Sequence, residues 1–394
     1  MSEKTTSNQY NQEIVEWDDS ALNLRATILR GIFAYGFEKP SPIQKKGLIP
    51  LVQPGIKGKR RDILAQAQSG TGKTACFGVG SLQITDSEKK YTQVLILAPT
   101  HELAGQIKGV VEDIGRFEKI KVQLLVGGTS VDGDREKLDN EPPHIIVGTP
   151  GRVHDMIRRK YLKTENIELI VLDEADEMLS QGFKDQIYKI FQYMSNDVQI
   201  ALFSATVPDA LEQLTARFMR NPIKILVKAE QLTLQGIQQY YIRLDSDEHK
   251  YATIKDLFDG LTISQAIIYC NSTRRVDDLE EAMVQDEFPV KKISERKAVH
   301  SDFKKGGCRV LITSNLFARG IDVQQVSVVI NFDVPKNEHT YLHRIGRSGR
   351  WGRKGIAINF VTRHDGARLK HFEEYYQTQI PELPTNWGEH LGKV

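Results

Sequence analysis

Short apolar runs recur along the chain, most of them rich in β-branched residues, with amphipathic stretches between them. The runs lie at 62–66, 94–99, 122–126, 145–148, 169–172, 200–203 and 223–227. Apolar residues at consecutive positions read as strands covered on both faces. The intervening stretches, such as 102–117 and 183–193, have the spacing of one-sided helices. Strand alternating with helix specifies a parallel α/β sheet. The pattern then begins again, with a linker-like stretch at 229–244 and new runs at 266–269, 309–313, 326–332 and 356–361. We therefore expect a disordered polar tail at 1–12, a first α/β lobe at 13–228, a linker at 229–235 and a second lobe at 236–394.

Composition narrows the class. The chain has 394 residues, 40% of them hydrophobic, which is enough to bury two cores and excludes a wholly disordered chain. No apolar run approaches the ~18–20 residues of a membrane helix. The polar, then acidic, first residues resemble neither a signal nor a transit peptide. Three distant cysteines (Cys76, Cys270, Cys308) exclude a disulfide scaffold and fit a reducing compartment. The net charge of +2 does not advertise nucleic acid, so any such surface must be local.

Residues 67–74 read Ala67-Gln-Ser69-Gly70-Thr71-Gly72-Lys73-Thr74, between an apolar run and a helical stretch. This is a Walker A pattern with Ala for its first glycine. Its glycines let backbone N–H groups and a helix N-terminus face phosphate. Lys73 would reach the β- and γ-phosphates of ATP and Thr74 a Mg²⁺ ion. A glycine-rich helix cap is the competing reading, and Gly-Lys-Thr in this context argues against it. About a hundred residues on, the run at 169–172 ends in Asp173-Glu174-Ala-Asp176. Acids at the carboxyl end of a strand lie where open α/β sheets bind ligands. Asp173 is placed to hold Mg²⁺ through water, and Glu174 to polarise an attacking water. A solvated acidic helix start is the alternative.

Those four letters spell D-E-A-D, and the chain resembles the DEAD-box RNA helicases from about residue 17 to residue 391. RGIFAYGFEKPSPIQ, LAQAQSGTGKT and HRIGRSGRWGRKGIAINFV carry the likeness, which is closest to the translation-initiation branch of the family. The resemblance implies a P-loop NTPase with two RecA-like lobes, the superfamily 2 helicase core. It implies an RNA-stimulated ATPase that grips single-stranded RNA or mRNA across both lobes and unwinds short duplexes. An ATP-gated RNA clamp with weak turnover, as in a nuclear mRNA-processing relative, remains the alternative. A P-loop kinase acting on a small molecule would leave HRIGRSGR unexplained. The resemblance further implies a cytoplasmic protein, with a nuclear one possible. It would be monomeric alone, would contact no membrane, and would have a HEAT-repeat scaffold as a possible partner.

Site roles follow from the same resemblance. Residues 15–44 match the adenine-reading segment, with Trp17 beside the base and Gln44 on its edge. An amide donates and accepts at once, as the N6 and N7 edge of adenine requires. Pro99, Thr100, Glu102, Gly128, Thr149 and Arg152 match the RNA contacts of the first lobe; Arg296 and Thr313 match those of the second. Contacts of this kind grip the sugar–phosphate chain with little sequence preference. Ser204 and Thr206 match the motif coupling ATP to unwinding, through the carboxylates at 173–176, and His343 would couple from the second lobe. Asp322 is placed for the ribose hydroxyls, and Arg347 and Arg350 as arginine fingers. Such fingers are worth ~10³–10⁵ in rate in related chemistry. The chain departs from the family at His101 and Asn315, where Arg and Asp are usual. It also departs in a shortened 288–303, where the Gln of Gln-x-x-Arg is missing, and in a basic insertion at 53–61 expected on the surface.

Overall fold

A computed structural model describes residues 13–54, 58–67, 71–180, 182–226, 237–260, 265–288, 290–292, 309–314, 326–346, 348 and 355–384. The tail at 1–12, Ser69, Gly70, the linker at 229–235, Arg296, Asp322, Arg347 and Arg350 lie outside the described residues. The chain divides into two compact units, Met1–Val227 and Lys228–Val394.

The first unit opens with helices α1 (Ala26–Tyr35) and α2 (Pro42–Val52) and strand β1 (Ile63–Gln66). Next come α3 (Lys73–Ile84), β2 (Val94–Leu97), α4 (His101–Ile114), β3 (Val122–Leu125), α5 (Val131–Asn140), β4 (Ile145–Gly148) and α6 (Pro150–Arg158). They are followed by β5 (Leu169–Asp173), α7 (Ala175–Ser180), α8 (Lys184–Gln192), β6 (Gln199–Ser204), α9 (Asp209–Phe218) and β7 (Ile223–Leu226). The sheet runs β3-β4-β2-β5-β6-β1-β7, and its paired strands are parallel throughout. Consecutive strand residues point to opposite faces, and each face has its own core. Ile63, Val94 and Ile96 pack with α3 and α4 residues such as Phe77 and Ile107. Leu64, Leu95 and Leu97 pack with Met156, Ile187 and Leu211 on the other side. Burial on both faces is why the runs are continuous rather than alternating.

Buried Asp62 fixes the register at the start of β1. It accepts the N–H groups of Ile200 (2.8 Å) and Arg220 (2.6 Å). Within the basic insertion, residues 59–61 are tied to acids and a carbonyl of their own unit. Lys59 pairs with Asp197, Arg60 with Glu168 (2.8 Å), and Arg61 donates to the Asn221 carbonyl (2.7 Å).

The second unit has β8 (Ile237–Arg243), α10 (His249–Gly260), β9 (Ala266–Cys270), α11 (Thr273–Gln285), β10 (Val290–Lys292) and β11 (Val310–Ser314). It continues with β12 (Val328–Asn331), α12 (Glu338–Ile345), β13 (Gly355–Val361) and α13 (Gly366–Tyr376). Its sheet order is β10-β11-β9-β12-β13-β8, again parallel. Its two faces bury separate clusters, one around Ile268, Ile330 and Phe360 and the other around Tyr341, Ala357 and Phe372. Among the described residues no helix is long and apolar enough to cross a membrane.

Candidate nucleotide site and RNA-facing edge

In a parallel sheet every strand ends on the same edge, so residues far apart in sequence meet there. β1 delivers the phosphate loop, β5 the acids and β6 the Ser-Ala-Thr turn, and these three strands are adjacent in the order β5-β6-β1. Gly72 has φ +95°, and a Cβ there would lie 2.5 Å from Gln44 Nε2. Only glycine accepts both that backbone and that approach. α3 then begins at Lys73, whose ammonium is 3.0 Å from Glu174 Oε1 and 3.7 Å from Asp173 Oδ1. Thr71 and Thr74 flank this point, both half-buried.

The electrostatics are unbalanced by design of the sequence: two close carboxylates share one ammonium. Burial, opposed by Lys73 and reinforced by Glu174, pushes the Asp173 carboxyl up to about 7. Burial alone would lower Lys73, but Glu174, Asp173 and Asp176 together outweigh it, and its pKa moves up. Glu174 has φ +52°. A non-glycine residue in the left-handed region is costly, by about 1–3 kcal/mol, and such residues cluster at functional sites. No group of three or more His, Cys, Asp or Glu among the described residues is arranged to hold a metal. Asp173 and the Thr74 hydroxyl are hard oxygen donors, the set that holds Mg²⁺ together with water and substrate phosphates. The residues present fit that ion as a partner of bound nucleotide.

Gln44 sits beside the loop, 3% exposed. Its Oε1 accepts the Ser41 N–H (2.7 Å) and its Nε2 donates to the Gly72 carbonyl (3.1 Å). Trp17 is enclosed near the start of the first unit. It is 1% exposed and part of the core, stacked on Phe37 with centroids 6.1 Å apart. The flanking apolar residues Ile14, Leu22 and Ile28 bury with it, and half-buried Phe37 is its ring neighbour nearer the surface.

Thr206 reaches an acid, and Ser204 the backbone beside it. Thr206 donates to Asp176 through Oγ1 (2.7 Å) and its backbone N–H (3.1 Å). Ser204 Oγ accepts the Asp176 N–H (3.2 Å) and donates to the Thr206 carbonyl (2.6 Å). So one hydroxyl meets a carboxylate and the other the backbone.

Pro99, Thr100, Gly128, Thr149 and Arg152 follow β2, β3 and β4 on the same edge. Thr100 caps α4, accepting the Leu103 N–H (3.2 Å), and Glu102 lies half-buried in its first turn. Thr149 is buried where α6 starts. Gly128 has φ +82° and open space where a side chain would be. Arg152 is no free cation for phosphate. Its side chain is 8% exposed, paired with Asp134, and donates to the Thr129 hydroxyl (2.9 Å) and carbonyl (2.8 Å). Its charge is balanced inside the unit, and it braces the loop that presents Gly128. Asp134 was missed by the sequence reading because nothing local marks it as a partner eighteen residues from Arg152.

In the second unit Thr313 lies near the end of β11. It is 1% exposed within β11, its hydroxyl turned to the Ser314 carbonyl (3.1 Å), so the strand interior holds it away from the surface. His343 is half-buried on α12. Its neighbour Arg344 reads as one more surface cation in a basic run, yet it is 2% exposed. It donates to Asn331 Oδ1 (3.1 Å), the Asp333 carbonyl (2.7 Å) and Asn271 Oδ1 (2.8 Å).

The sequence pattern of the DEAD/DEAH box helicases matches residues 41–214, and that of the helicase conserved C-terminal domain matches residues 249–352. The chain belongs to the DEAD-box helicase family. It is similar to eukaryotic initiation factor 4A of Caenorhabditis elegans, with 51% identity over 95% of this chain and 92% of that protein. A protein named ATP-dependent RNA helicase eIF4A, from Coccidioides immitis, is 50% identical over 98% of this chain and 97% of its own length. Among solved structures, S. cerevisiae Dbp5 bound to RNA and ADP BeF3 matches with TM-score 0.86 and 35% identity, covering 96% of this chain and 98% of that one. A DEAD box protein from Methanococcus jannaschii matches with TM-score 0.57 and 31% identity, over 94% of this chain and 100% of that one. Both units therefore have the RecA-like fold of DEAD-box helicases. As a member of this family the chain is an ATP-hydrolysing enzyme, an ATP-dependent RNA helicase.

Proposed function

We propose that this DEAD-box helicase hydrolyses ATP with Mg²⁺ at the Lys73–Asp173–Glu174 cluster and acts on mRNA during translation initiation. The observation that carries the catalytic part is the meeting of Lys73, Asp173 and Glu174 at one sheet edge, with Thr206 bonded to Asp176 beside them. Lys73 positions the terminal phosphates. Glu174 orients the attacking water, and its carboxylate is freed for that task when phosphate takes over Lys73. Bound Mg²⁺, held by Asp173 and Thr74 through water, would neutralise charge on the phosphates. Gln44 reads the base, exchanging its contacts with the protein for contacts with adenine. For the second unit, the family resemblance assigns Arg347, Arg350 and Asp322 to ATP and Arg296 to RNA.

RNA grip rests on the first unit's edge: the Pro99–Thr100 turn, Glu102, the Gly128 loop and the Thr149 turn. Most of these offer backbone groups and small side chains, which suits sugar and phosphate rather than base edges. The names of the relatives at about half identity, initiation factor 4A and eIF4A, support the role in initiation over the weak-turnover clamp. We also propose a cytoplasmic location, a monomer in isolation, and a HEAT-repeat scaffold as partner.

The test is phosphate release with and without single-stranded RNA, with Glu174→Gln as control. Wild type should be stimulated by RNA, and the variant should bind ATP yet lose about two to four decades of turnover, the range for a positioned acid–base group. Turnover indifferent to RNA would sink the reading.

A further inference from the structure

The two sheets share one strand pattern. The first runs β3-β4-β2-β5-β6-β1 before β7, and the second β10-β11-β9-β12-β13-β8. β8 therefore takes the place of β1, β12 that of β5, and β13 that of β6. The helix after β1 begins with Lys73, which lies 3.7 Å from Asp173 at the end of β5. The helix after β8 has Lys250 as its second residue, 3.0 Å from Asp333 just past the end of β12. Each lysine side chain is 4% exposed. The second unit thus repeats the ammonium–carboxylate pair of the nucleotide site at the same place in the fold.

What differs is the group facing the lysine from the preceding loop. In the first unit that loop is rich in glycine. In the second it carries Asp247, whose carboxylate takes Lys250 at 2.8 Å and both terminal nitrogens of Arg275 at 2.7 and 3.0 Å. Arg275 also donates to Asp333 at 2.8 Å. A lysine and a bidentate arginine converging on one oxyanion is the arrangement that binds phosphate. These groups line a cavity of about 470 Å³ at the strand ends, with Asn271 and Thr362 on its walls and Arg363 and His364 beside them. Asp245 and Asp365 also line it, and Asp365 is matched by Arg368 at 3.2 Å. Asp247 is 54% exposed, while Lys250 and Asp333 are buried beneath it. The plug is at the rim and the cradle is below.

We propose that this cavity is a second phosphate-type cradle, closed by the chain's own Asp247 carboxylate, and that removing that carboxylate opens it to inorganic pyrophosphate. A tethered carboxylate acts at high effective concentration, so a free anion competes poorly in the wild type. In the protein as it stands, Asp247 and Asp333 together pair both Lys250 and Arg275.

Pyrophosphate binding to the full chain is measured by calorimetry and by the melting temperature, with Lys73→Ala in every variant to disable the first site. Adding Asp247→Ala should lower the melting temperature, and pyrophosphate should restore it and bind at least about tenfold more tightly than to Lys73→Ala alone, the effect of removing one close competing charge. A further Lys250→Met should abolish the gain. Asp247→Asn serves where the alanine variant does not fold. Folded Asp247 variants that bind pyrophosphate no better, or a gain that survives Lys250→Met, would overturn the proposal. So would variants that stay unfolded with pyrophosphate present, because the anion should replace the missing charge.

Discussion

Thr206 Oγ1 donates to Asp176 Oδ2 at 2.7 Å, tying the turn after β6 to the first turn after β5. Asp176 also takes the Thr206 N–H, and its own N–H donates to Ser204 Oγ. Three hydrogen bonds therefore hold the turn after β6 to the start of α7. A hydrogen bond to a charged group contributes about 1.5–3 kcal/mol, or one to two decades. Thr206→Val keeps the branch and removes the donor. Strand separation should fall by roughly that factor while ATP turnover stays within a few-fold. Parallel duplex-unwinding and phosphate-release assays check this, and an equal loss of both would count against a coupling role.

Gln44, on α2, is bonded to the Gly72 carbonyl at the start of α3, and the proposed function gives it the adenine edge. Gln44→Glu keeps the acceptor for Ser41 but places an acceptor against that carbonyl. The Michaelis constant for ATP should rise about tenfold, and preference for ATP over GTP should shrink, because the base loses its donor and a buried carbonyl loses its partner. Steady-state kinetics with both nucleotides reads the outcome. A wild type that turns over GTP as well as ATP would remove the basis for the assignment.

Gly72→Ala tests the close approach. The alanine would need φ near +95° with its methyl 2.5 Å from Gln44 Nε2. A left-handed residue costs about 1–2 kcal/mol before the clash is counted. ATP affinity should drop by more than a decade, with a lower melting temperature. Unchanged nucleotide titration would mean the loop has room that the geometry denies it.

Asp173 sets a pH dependence for the nucleotide-free protein. Its folded pKa is raised from 3.8 to about 7, chiefly by burial. The folded state then holds the proton more tightly than the unfolded chain. Stability from this group is complete below about 3.8 and is lost as pH rises through 7. Asp173→Asn cannot ionise, so its melting temperature relative to wild type should increase from pH 4.5 to pH 7.5. Thermal melts across that range check it; a constant difference would show that the carboxyl is ionised throughout.

The linear order of residues was enough for the α/β class, because continuous apolar runs such as 169–172 require a sheet covered on both faces. It also marked Lys73, Asp173 and Glu174 by short local motifs, and the fold brings the two carboxylates to 3.7 and 3.0 Å from the Lys73 ammonium. Side-chain fate was harder to read. Trp17, Thr313 and Arg344 carry groups that suit a ligand, and each turned out to be enclosed.

The sequence by itself determined which short segments would be strands and which residue types would stand at their ends, for those depend on contacts between near neighbours. Only the tertiary structure decided that Arg152 closes on Asp134, that Gln44 holds the Gly72 carbonyl, and that Asp247 occupies the cations of the second unit. The reason is physical: parallel strands bring their carboxyl ends together across tens of residues, and whether a charge there faces solvent or a partner depends on which strand lies beside it.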